Sequence, residues 1–297
     1  MCVAVSEARF RDDPRVRQAP SASIVVPTLE RPEYLEVTLA SVAPQAWRAD
    51  AEVLVVSDGP DERTASVTQR HEARLIVLPE RRGLNAARNA GIQAAQSDLI
   101  VFIDDDVCAP DGWLDVMLAG ARTSPDREVF GGPIRPRLEG ARRGCGREPY
   151  PITALDAGPE DRDIELAWGT NMTVRRSAFE RIGLFDESID GRGDEEEWEL
   201  RYTRSGGRIR YLAKAGLDHR RTRSDARVRV LARHAYRQGR ESRRHELHSG
   251  ITRPILADVR VLAGCAWHTV RRRCAYGIVM GARAAGSLRE TLGHRQA

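Results

Sequence analysis

Three consecutive aspartates, Asp104–Asp106, directly follow the apolar run Leu99–Ile103. A short run without polar alternation predicts a strand buried on both faces, as in a parallel sheet. Ligands of open α/β sheets bind beyond the carboxyl ends of the strands. Because three carboxylates repel one another, we expect a divalent cation carrying a phosphate at this point, since hard cations take oxygen ligands. An acidic turn that caps the next helix is the alternative, although Asp111 is available for that role.

Two other acidic positions have residue types suited to a substrate site. Asp58 follows a second apolar run and precedes Gly59, where a simple turn aspartate is equally common. The segment Asp194–Glu197 places four acids ahead of Trp198. One of these acids could act as a general base. A solvated helix start is the alternative, because acids are favoured at a helix N-terminus.

Apolar runs alternate with helical segments through the first part of the chain. Strands are predicted over residues 23–27, 52–59, 74–78 and 99–103, and the first intervening helix is expected to end near Val42. This alternation is typical of βαβ units with right-handed crossovers. No GxGxxG follows the first strand and no GxxxxGK[ST] occurs. The predicted fold is α/β, with a mostly parallel doubly wound sheet of nucleotide-binding type, a smaller mixed subregion and a helical C-terminal extension.

Composition is that of a globular protein of 297 residues, with 30% charged residues and a formal net charge of +4. Five cysteines without a CxxC pair argue against a disulfide framework or zinc site and for a reducing cytoplasm. We expect a cytoplasmic protein, or one peripheral on the inner face of the plasma membrane. The expected organisation is a loose leader (1–20), a catalytic domain (21–223) and an arginine-rich helical extension (224–297). The extension could dock on the catalytic domain, bind a membrane surface or form a homodimer.

Four blocks of sequence occur in a specific order. They are Ser23–Arg31 with Val55–Gly59, Gly83–Gly91 leading into Ile103–Asp106, Trp168–Arg176 with Gly183–Glu187, and Gly193–Leu200 with His219. Together they resemble the family 2 glycosyltransferases of GT-A fold over about residues 20–222. The resemblance implies transfer of a sugar from a nucleotide diphosphate sugar to an acceptor hydroxyl, with inversion at the anomeric carbon.

The three aspartates correspond to the DxD region of that family. Side chains alternate in an extended segment, so Asp104 and Asp106 share a face and Asp105 points away. The resemblance implies that Asp106 binds Mg²⁺ or Mn²⁺ directly, that Asp104 acts on ribose or metal, and that His219 completes the metal site. The other donor-side candidates are Pro27, Thr28, Glu30, Arg31, Asp58, Arg82, Arg88 and Asp105.

Direct displacement with inversion needs a carboxylate that takes the proton of the acceptor hydroxyl. The family places this base at the end of a Glu-Asp pair, where this chain has Glu196-Glu197. We therefore expect Glu197 as the base, with Glu196 as the second candidate. The acceptor or sugar candidates are Trp168, Thr170, Asn171 and Trp198, and core packing is an equal alternative for both tryptophans.

Two other functions remain open from the sequence. A sugar nucleotidyltransferase also uses strand-end acids with a metal, but the first strand lacks the expected glycine- and lysine-rich signature. A non-catalytic protein could bind nucleic acid or a membrane through the basic segment 220–244, although aromatic residues do not alternate with its arginines. The expected partners are a UDP-, GDP- or dTDP-sugar and a glycan, lipid-linked or secondary-metabolite acceptor, without nucleic acid.

Overall fold

The computed structural model describes residues 21–140, 152–189, 194–248 and 253–294, so the predicted leader lies outside the described residues. The first elements in chain order are β1 (Ser23–Thr28), α1 (Pro32–Arg48), β2 (Glu52–Ser57), α2 (Glu62–Arg70), β3 (Arg74–Val77), α3 (Leu84–Ala94), β4 (Leu99–Ile103), β5 (Val107–Cys108), α4 (Trp113–Thr123), β6 (Val129–Gly131) and β7 (Ile134–Leu138). They are followed by β8 (Arg162–Ile164), β9 (Asn171–Arg175), α5 (Arg176–Ile182), α6 (Asp194–Arg204), β10 (Ile209–Tyr211), β11 (Leu217–Arg221), α7 (Val228–His248), α8 (Ile255–Arg272) and α9 (Ala275–His294).

The chain divides into two compact units. The first unit comprises residues 1–133, 157–187 and 195–217, and the second comprises residues 134–156, 188–194 and 218–297. Within the described part of the first unit, eight strands form one sheet in the order β3-β2-β1-β4-β9-β6-β10-β8. Strands β3, β2, β1 and β4 are parallel, whereas β9 runs antiparallel to both β4 and β6. The predicted α/β fold with a mostly parallel sheet and C-terminal helices is confirmed.

The central strands form because their residues are apolar on both faces. All six residues of β1 and all five of β4 are buried. Helix α3 consists largely of small residues and packs on β1 and β2. At Gly91 a β-carbon would lie 2.4 Å from Val25 Cγ1, so only glycine permits this close approach. The small-residue helix predicted from the sequence therefore lies directly on the sheet.

An aromatic cluster fixes α6 within the first unit. The ring of Trp198 lies 4.9 Å from that of Phe179 and 5.6 Å from that of Phe185, measured between ring centres. Tyr202, one turn further along α6, stacks on Trp198 at 5.6 Å. Fully buried aromatic side chains bring a large apolar area out of water, which stabilises this packing. The acidic N-terminal turn of α6 is thereby held in a fixed orientation.

In the second unit, helix α9 packs against both α7 and α8. Backbones of α7 and α9 approach closely, because a β-carbon at Gly239 would lie 2.0 Å from the Arg283 carbonyl oxygen. Strands β7 and β11 pair in the same unit, and Asp218 accepts hydrogen bonds from Arg135 and Arg137 there. No helix among the residues described is both long and apolar enough to cross a membrane.

Candidate active site

The carboxyl ends of β2, β1 and β4 lie side by side, because these parallel strands are neighbours in the sheet. Asp58 follows β2, and its backbone N–H donates to the Thr28 carbonyl at the end of β1, at 2.9 Å. The Thr28 hydroxyl in turn donates to Asp105 Oδ2, beyond β4, at 2.7 Å. Candidate residues from three distant parts of the sequence are thus brought together at one edge of the sheet. This edge is where open α/β sheets bind ligands.

A single guanidinium group lies among the aspartates. Arg31 donates from Nη1 to Asp105 Oδ1 and from Nη2 to Asp106 Oδ2, both at 2.6 Å. The same guanidinium lies 4.3 Å from the centre of the Tyr34 ring, within the range of a cation–π contact. The chain itself therefore supplies part of the positive charge that the three carboxylates require.

Asp105 is the buried residue that stabilises the loop after β4, which also carries Asp104 and Asp106. It is 4% exposed, its carboxylate accepts hydrogen bonds from Thr28 and Arg31, and its backbone carbonyl accepts from the Thr38 hydroxyl at 2.7 Å. Burial raises the pKa of Asp105 to about 7, against the opposing effect of Arg31. These contacts give Asp105 a structural part in the loop that carries its two neighbours. Thr38 is not recognisable as a site residue from the sequence, since nothing in its local pattern indicates a contact with Asp105.

Asp104 and Asp106 present carboxylate oxygens that lie within 4.8 Å of each other. Oδ2 of Asp104 accepts a hydrogen bond from the Thr170 hydroxyl at 2.6 Å, and Asp106 is 2% exposed. The donor set is carboxylate oxygen, which suits hard divalent cations such as Mg²⁺ or Mn²⁺. The chemistry of these two residues therefore fits the cation expected from the sequence.

A cavity of about 200 Å³ lies next to Asp58 and is also lined by Glu30 and Arg81. Asp58 is 5% exposed, and its carboxylate accepts hydrogen bonds from the backbone N–H groups of Arg82 at 2.6 Å and Gly83 at 2.9 Å. Asp58 thus shapes the turn that begins α3. The Arg82 side chain is half exposed and forms an ion pair with Glu187. Pro27 lies within β1, in register with Val56.

The two candidate bases on α6 have different surroundings. The Glu197 carboxylate pairs with Arg201, accepting from Nε at 2.6 Å and from Nη2 at 2.9 Å. Arg201 is itself fixed by the carbonyl groups of Ile182 and Leu184. Glu196 is half-buried, and within the described part of the chain its carboxylate has no recorded hydrogen bond or ion pair. Arg201 thus occupies one lone pair on each oxygen of the Glu197 carboxylate, whereas Glu196 has no such partner.

Two further carboxylates of α6, Glu195 and Glu199, face inward. Glu195 accepts a hydrogen bond from the Gly169 N–H at 3.3 Å and lies 3.4 Å from Arg88 Nη1. Glu199 is fully buried and accepts from the Ala167 N–H at 3.0 Å. Burial, then the nearby Glu195 charge, raises the pKa of Glu199 well above its usual range. The two residues hold the turn on either side of Trp168.

These inward carboxylates were not identified from the sequence, in which the acids of residues 194–197 were interpreted only as a general base or a solvated helix start. Their i, i+4 spacing is the signal that puts them on one face of α6. The same cluster buries Arg88, which is 2% exposed and lies against Gly169, where a β-carbon would be 2.3 Å from its Nη2. In this structure the Arg88 guanidinium faces Glu195 and the Trp168 turn.

The four acceptor-side candidates occupy different environments. Trp168 is half-buried and Thr170 contacts Asp104. Asn171 is fully buried, accepting from the Trp113 indole N–H and donating to the carbonyl groups of Pro133 and Ala215. Trp198 is also fully buried and donates from its indole N–H to the Gly183 carbonyl at 2.7 Å. Asn171 and Trp198 therefore pack in the core. Because Trp198 exposes no ring face on which a sugar could stack, its predicted contact with a sugar is wrong.

His219 lies on β11 in the second unit and is 2% exposed. Its Nδ1 is 3.0 Å from the Thr153 carbonyl oxygen, and its Nε2 is 3.1 Å from Arg221 Nη1. A hydrogen bond at one ring nitrogen fixes the orientation of the imidazole. The metal-binding role of His219 stays a prediction from the sequence.

Comparison with solved structures defines the class of fold. A mannosyltransferase from Pyrobaculum calidifontis, PcManGT, in complex with GDP-Man and Mn²⁺, superposes with a TM-score of 0.58, covering 95% of this chain and 91% of that one. TarS of S. aureus superposes with a TM-score of 0.51 over 75% of this chain. At 16% and 18% sequence identity these likenesses show the fold alone, which is the GT-A fold.

Residues 23–183 match the family Glycosyl transferase family 2. The chain belongs to this family, and it is a glycosyltransferase. This result confirms the resemblance noted in the sequence and decides against a nucleotidyltransferase or a non-catalytic binding protein.

The sequence is similar to several curated glycosyltransferases. It is 25% identical over 215 residues to a glucosyl-dolichyl phosphate glucuronosyltransferase of Haloferax volcanii, covering 67% of this chain and 68% of that protein. It is 30% identical over 209 residues to a validoxylamine A glucosyltransferase of Streptomyces hygroscopicus subsp. jinggangensis, covering 60% of this chain and 50% of that protein. The uncharacterized glycosyltransferase EpsJ of Bacillus subtilis is 30% identical over 188 residues, 52% of its length. The match thus spans about half the length of the last two relatives.

Proposed function

We propose that the chain transfers a sugar from a nucleotide diphosphate sugar to an acceptor hydroxyl, with inversion and with the assistance of a divalent cation. The observation that carries this proposal is the pair of strand-end carboxylates, Asp104 and Asp106, whose oxygens lie within 4.8 Å of each other. They follow β4 at the same end of the parallel strands as Asp58, which follows β2 and lines the cavity. A GT-A neighbour that contains GDP-Man and Mn²⁺ supports the same reading.

Asp106 and Asp104 would hold the cation, which is Mg²⁺ or Mn²⁺ in this proposal. When bound, the cation neutralises the charge that grows on the departing diphosphate. Arg31 orients both Asp105 and Asp106 by donating a hydrogen bond to each of them. His219 is the third ligand that the family resemblance implies, and we retain it as a proposal.

The donor nucleoside is proposed to bind in the cavity beside Glu30 and Asp58. The carboxylate of Asp58 has lone pairs beyond the two that accept backbone N–H groups, so it can also accept from a base. The half-exposed Arg82 is close in sequence to this turn and is proposed to contact the diphosphate. Arg88 supports the site from the interior through Glu195.

The general base is proposed to be one of the two carboxylates Glu196 and Glu197. As the acceptor oxygen attacks the anomeric carbon, the carboxylate takes the hydroxyl proton and the bond to the diphosphate breaks. The acceptor is proposed to lie against the half-buried Trp168, near Thr170, which is buried and donates to Asp104. The named relatives act on chemically different acceptors, so the proposal specifies only a hydroxyl group.

The proposal is tested by thermal shift with UDP-, GDP- and dTDP-sugars, each with and without Mn²⁺. One nucleotide is expected to raise the Tm only when Mn²⁺ is present, and Asp104→Asn should abolish that rise. Asp98→Asn is the matched control, because this acid at the opposite end of β4 has a side chain that is 98% exposed. NMR of the transferred sugar then reports inversion or retention. No metal-dependent shift with any nucleotide, or a retained anomer, overturns the proposal.

A further inference from the structure

Helix α8 exposes a row of large apolar side chains. Leu256 is 64% exposed, Trp267 is 69% exposed and Val270 is 78% exposed. Helical periodicity places these residues on one side of α8, together with Val259 and Ala263. We call these five residues the α8 outer face. A contiguous apolar patch on an ordered helix indicates an interaction surface, whereas single exposed apolar residues do not.

The opposite side of α8 packs within the second unit. Asp258 and Cys265 are buried there, and α8 packs against α9. The Ser287 hydroxyl of α9 donates to Asp258 at 3.3 Å. The α8 outer face therefore points away from the helix on which α8 is seated.

Charge distinguishes α8 from the other arginine-rich helix. On α7, Arg240 and Arg244 both pair with Glu290 of α9 at 2.9 Å. Four arginines at α8 are exposed instead, and within the described residues none has a recorded ion pair: Arg260, Arg271, Arg272 and Arg273. The one acid between residues 253 and 273 is Asp258, which is buried toward α9. The α8 outer face thus lies beside exposed cationic groups, and the one carboxylate of α8 is buried on the opposite side of the helix.

We propose that the α8 outer face binds an anionic lipid surface. The apolar side chains would enter the boundary between headgroups and acyl chains, with Trp267 at the interfacial level. Arg260 and Arg271, which helical periodicity places next to the apolar row, would meet the lipid phosphates, which supply the missing negative charge. A second copy of the chain fits less well, because pairing α8 with α8 brings further arginines and no exposed acid. The surface lies outside the proposed catalytic residues, so its test does not depend on transferase activity.

The test is flotation of the full chain with vesicles of phosphatidylcholine, with or without phosphatidylglycerol. Binding is expected only to the anionic vesicles. Trp267→Ala should weaken it by a factor of about ten or more, since burial of a large apolar side chain is worth at least about 1.5 kcal/mol and about 1.4 kcal/mol is a factor of ten. Arg260→Gln with Arg271→Gln should weaken it about fivefold for each charge removed, from about 1 kcal/mol per residue.

Matched controls distinguish binding through the α8 outer face from nonspecific binding of the chain to vesicles. Trp47→Ala removes another exposed tryptophan, 83% exposed on α1 of the first unit, and should leave binding unchanged. Arg233→Gln with Arg237→Gln removes two exposed charges from α7 and should also have no effect. Equal losses in these controls, or no binding to anionic vesicles, overturn the proposal. A dimer in light scattering that Trp267→Ala dissociates, without vesicle binding, overturns it in favour of a second copy.

Discussion

The Thr170 hydroxyl donates to Oδ2 of Asp104 at 2.6 Å, across the boundary between β9 and β4. This contact follows from the sheet, because β9 runs antiparallel to β4 with Asn171 opposite Ile103. The residues just beyond that pair, Thr170 and Asp104, are therefore also opposite each other. A hydroxyl on one strand thus orients a carboxylate that is proposed to bind the cation.

Thr170→Val should raise the Mn²⁺ concentration needed for half-maximal donor-induced stabilisation by roughly tenfold, the usual effect of losing a partner of a metal ligand. Thr170→Ser keeps the hydroxyl and should remain near the wild-type value. The measurement is a thermal-shift titration with Mn²⁺ at saturating donor. An unchanged metal requirement in the valine variant would show that this hydrogen bond does not orient Asp104.

Arg31→Gln should lower the free energy of unfolding by about 2 kcal/mol, because it leaves two buried carboxylates without their cation. Urea denaturation measures this loss. Arg48→Gln serves as the control, since Arg48 pairs with the exposed Asp111 at the surface and should cost less than about 0.5 kcal/mol. Equal effects of the two substitutions would contradict the central position of Arg31 among the aspartates.

Glu199→Gln should stabilise the protein at neutral pH. Burial raises the pKa of Glu199 above its ordinary value of 4.5, so the folded state binds more protons than the unfolded state. Stability of the wild type therefore falls as pH rises from the unfolded pKa toward the folded one. The Gln variant escapes this loss and keeps the amide oxygen that accepts from Ala167.

The gain from Glu199→Gln should be about 1 kcal/mol at pH 7, because the amide carries no charge, whereas the ionised carboxylate is buried with no hydrogen bond at Oε2 to offset its loss of hydration. It should vanish below about pH 4, where the glutamate is protonated in both states. Melting curves at both pH values measure the difference. Glu180→Gln, an exposed position on α5, should show no such pH dependence. Equal stability of wild type and Glu199→Gln at pH 7 would show that the buried carboxylate carries no penalty.

Replacing the general base with its amide should reduce turnover roughly 10²–10⁴-fold and leave the donor-induced thermal shift intact. We expect this loss in Glu197→Gln, the position to which the family resemblance assigns the base. The same loss in Glu196→Gln, with an active Glu197→Gln, would move the base to the carboxylate that has no recorded ion pair. Full activity of both variants would exclude the pair.

The sequence predicted the parallel half of the sheet well, because those strands are recognisable from local apolar runs. The predicted end of α1 near Val42 was wrong, because the helix continues to Arg48 with Pro44 inside it. The reason is tertiary: Gln45 is buried and bonds to the Leu114 N–H and the Pro110 carbonyl, 65 or more residues away. Those contacts hold the last turn of α1 in place despite the proline.

The family and the acidic strand ends were determined by the sequence alone, because buried strands and ordered motifs are properties of neighbouring residues. Only the tertiary structure decided how the acids are used. It set Arg31 between Asp105 and Asp106, turned Glu195 and Glu199 inward, paired Glu197 with Arg201, and buried Trp198. Most of these outcomes depend on partners brought together from separate elements. Local residue patterns cannot specify such partners, since burial and pairing depend on how the elements pack.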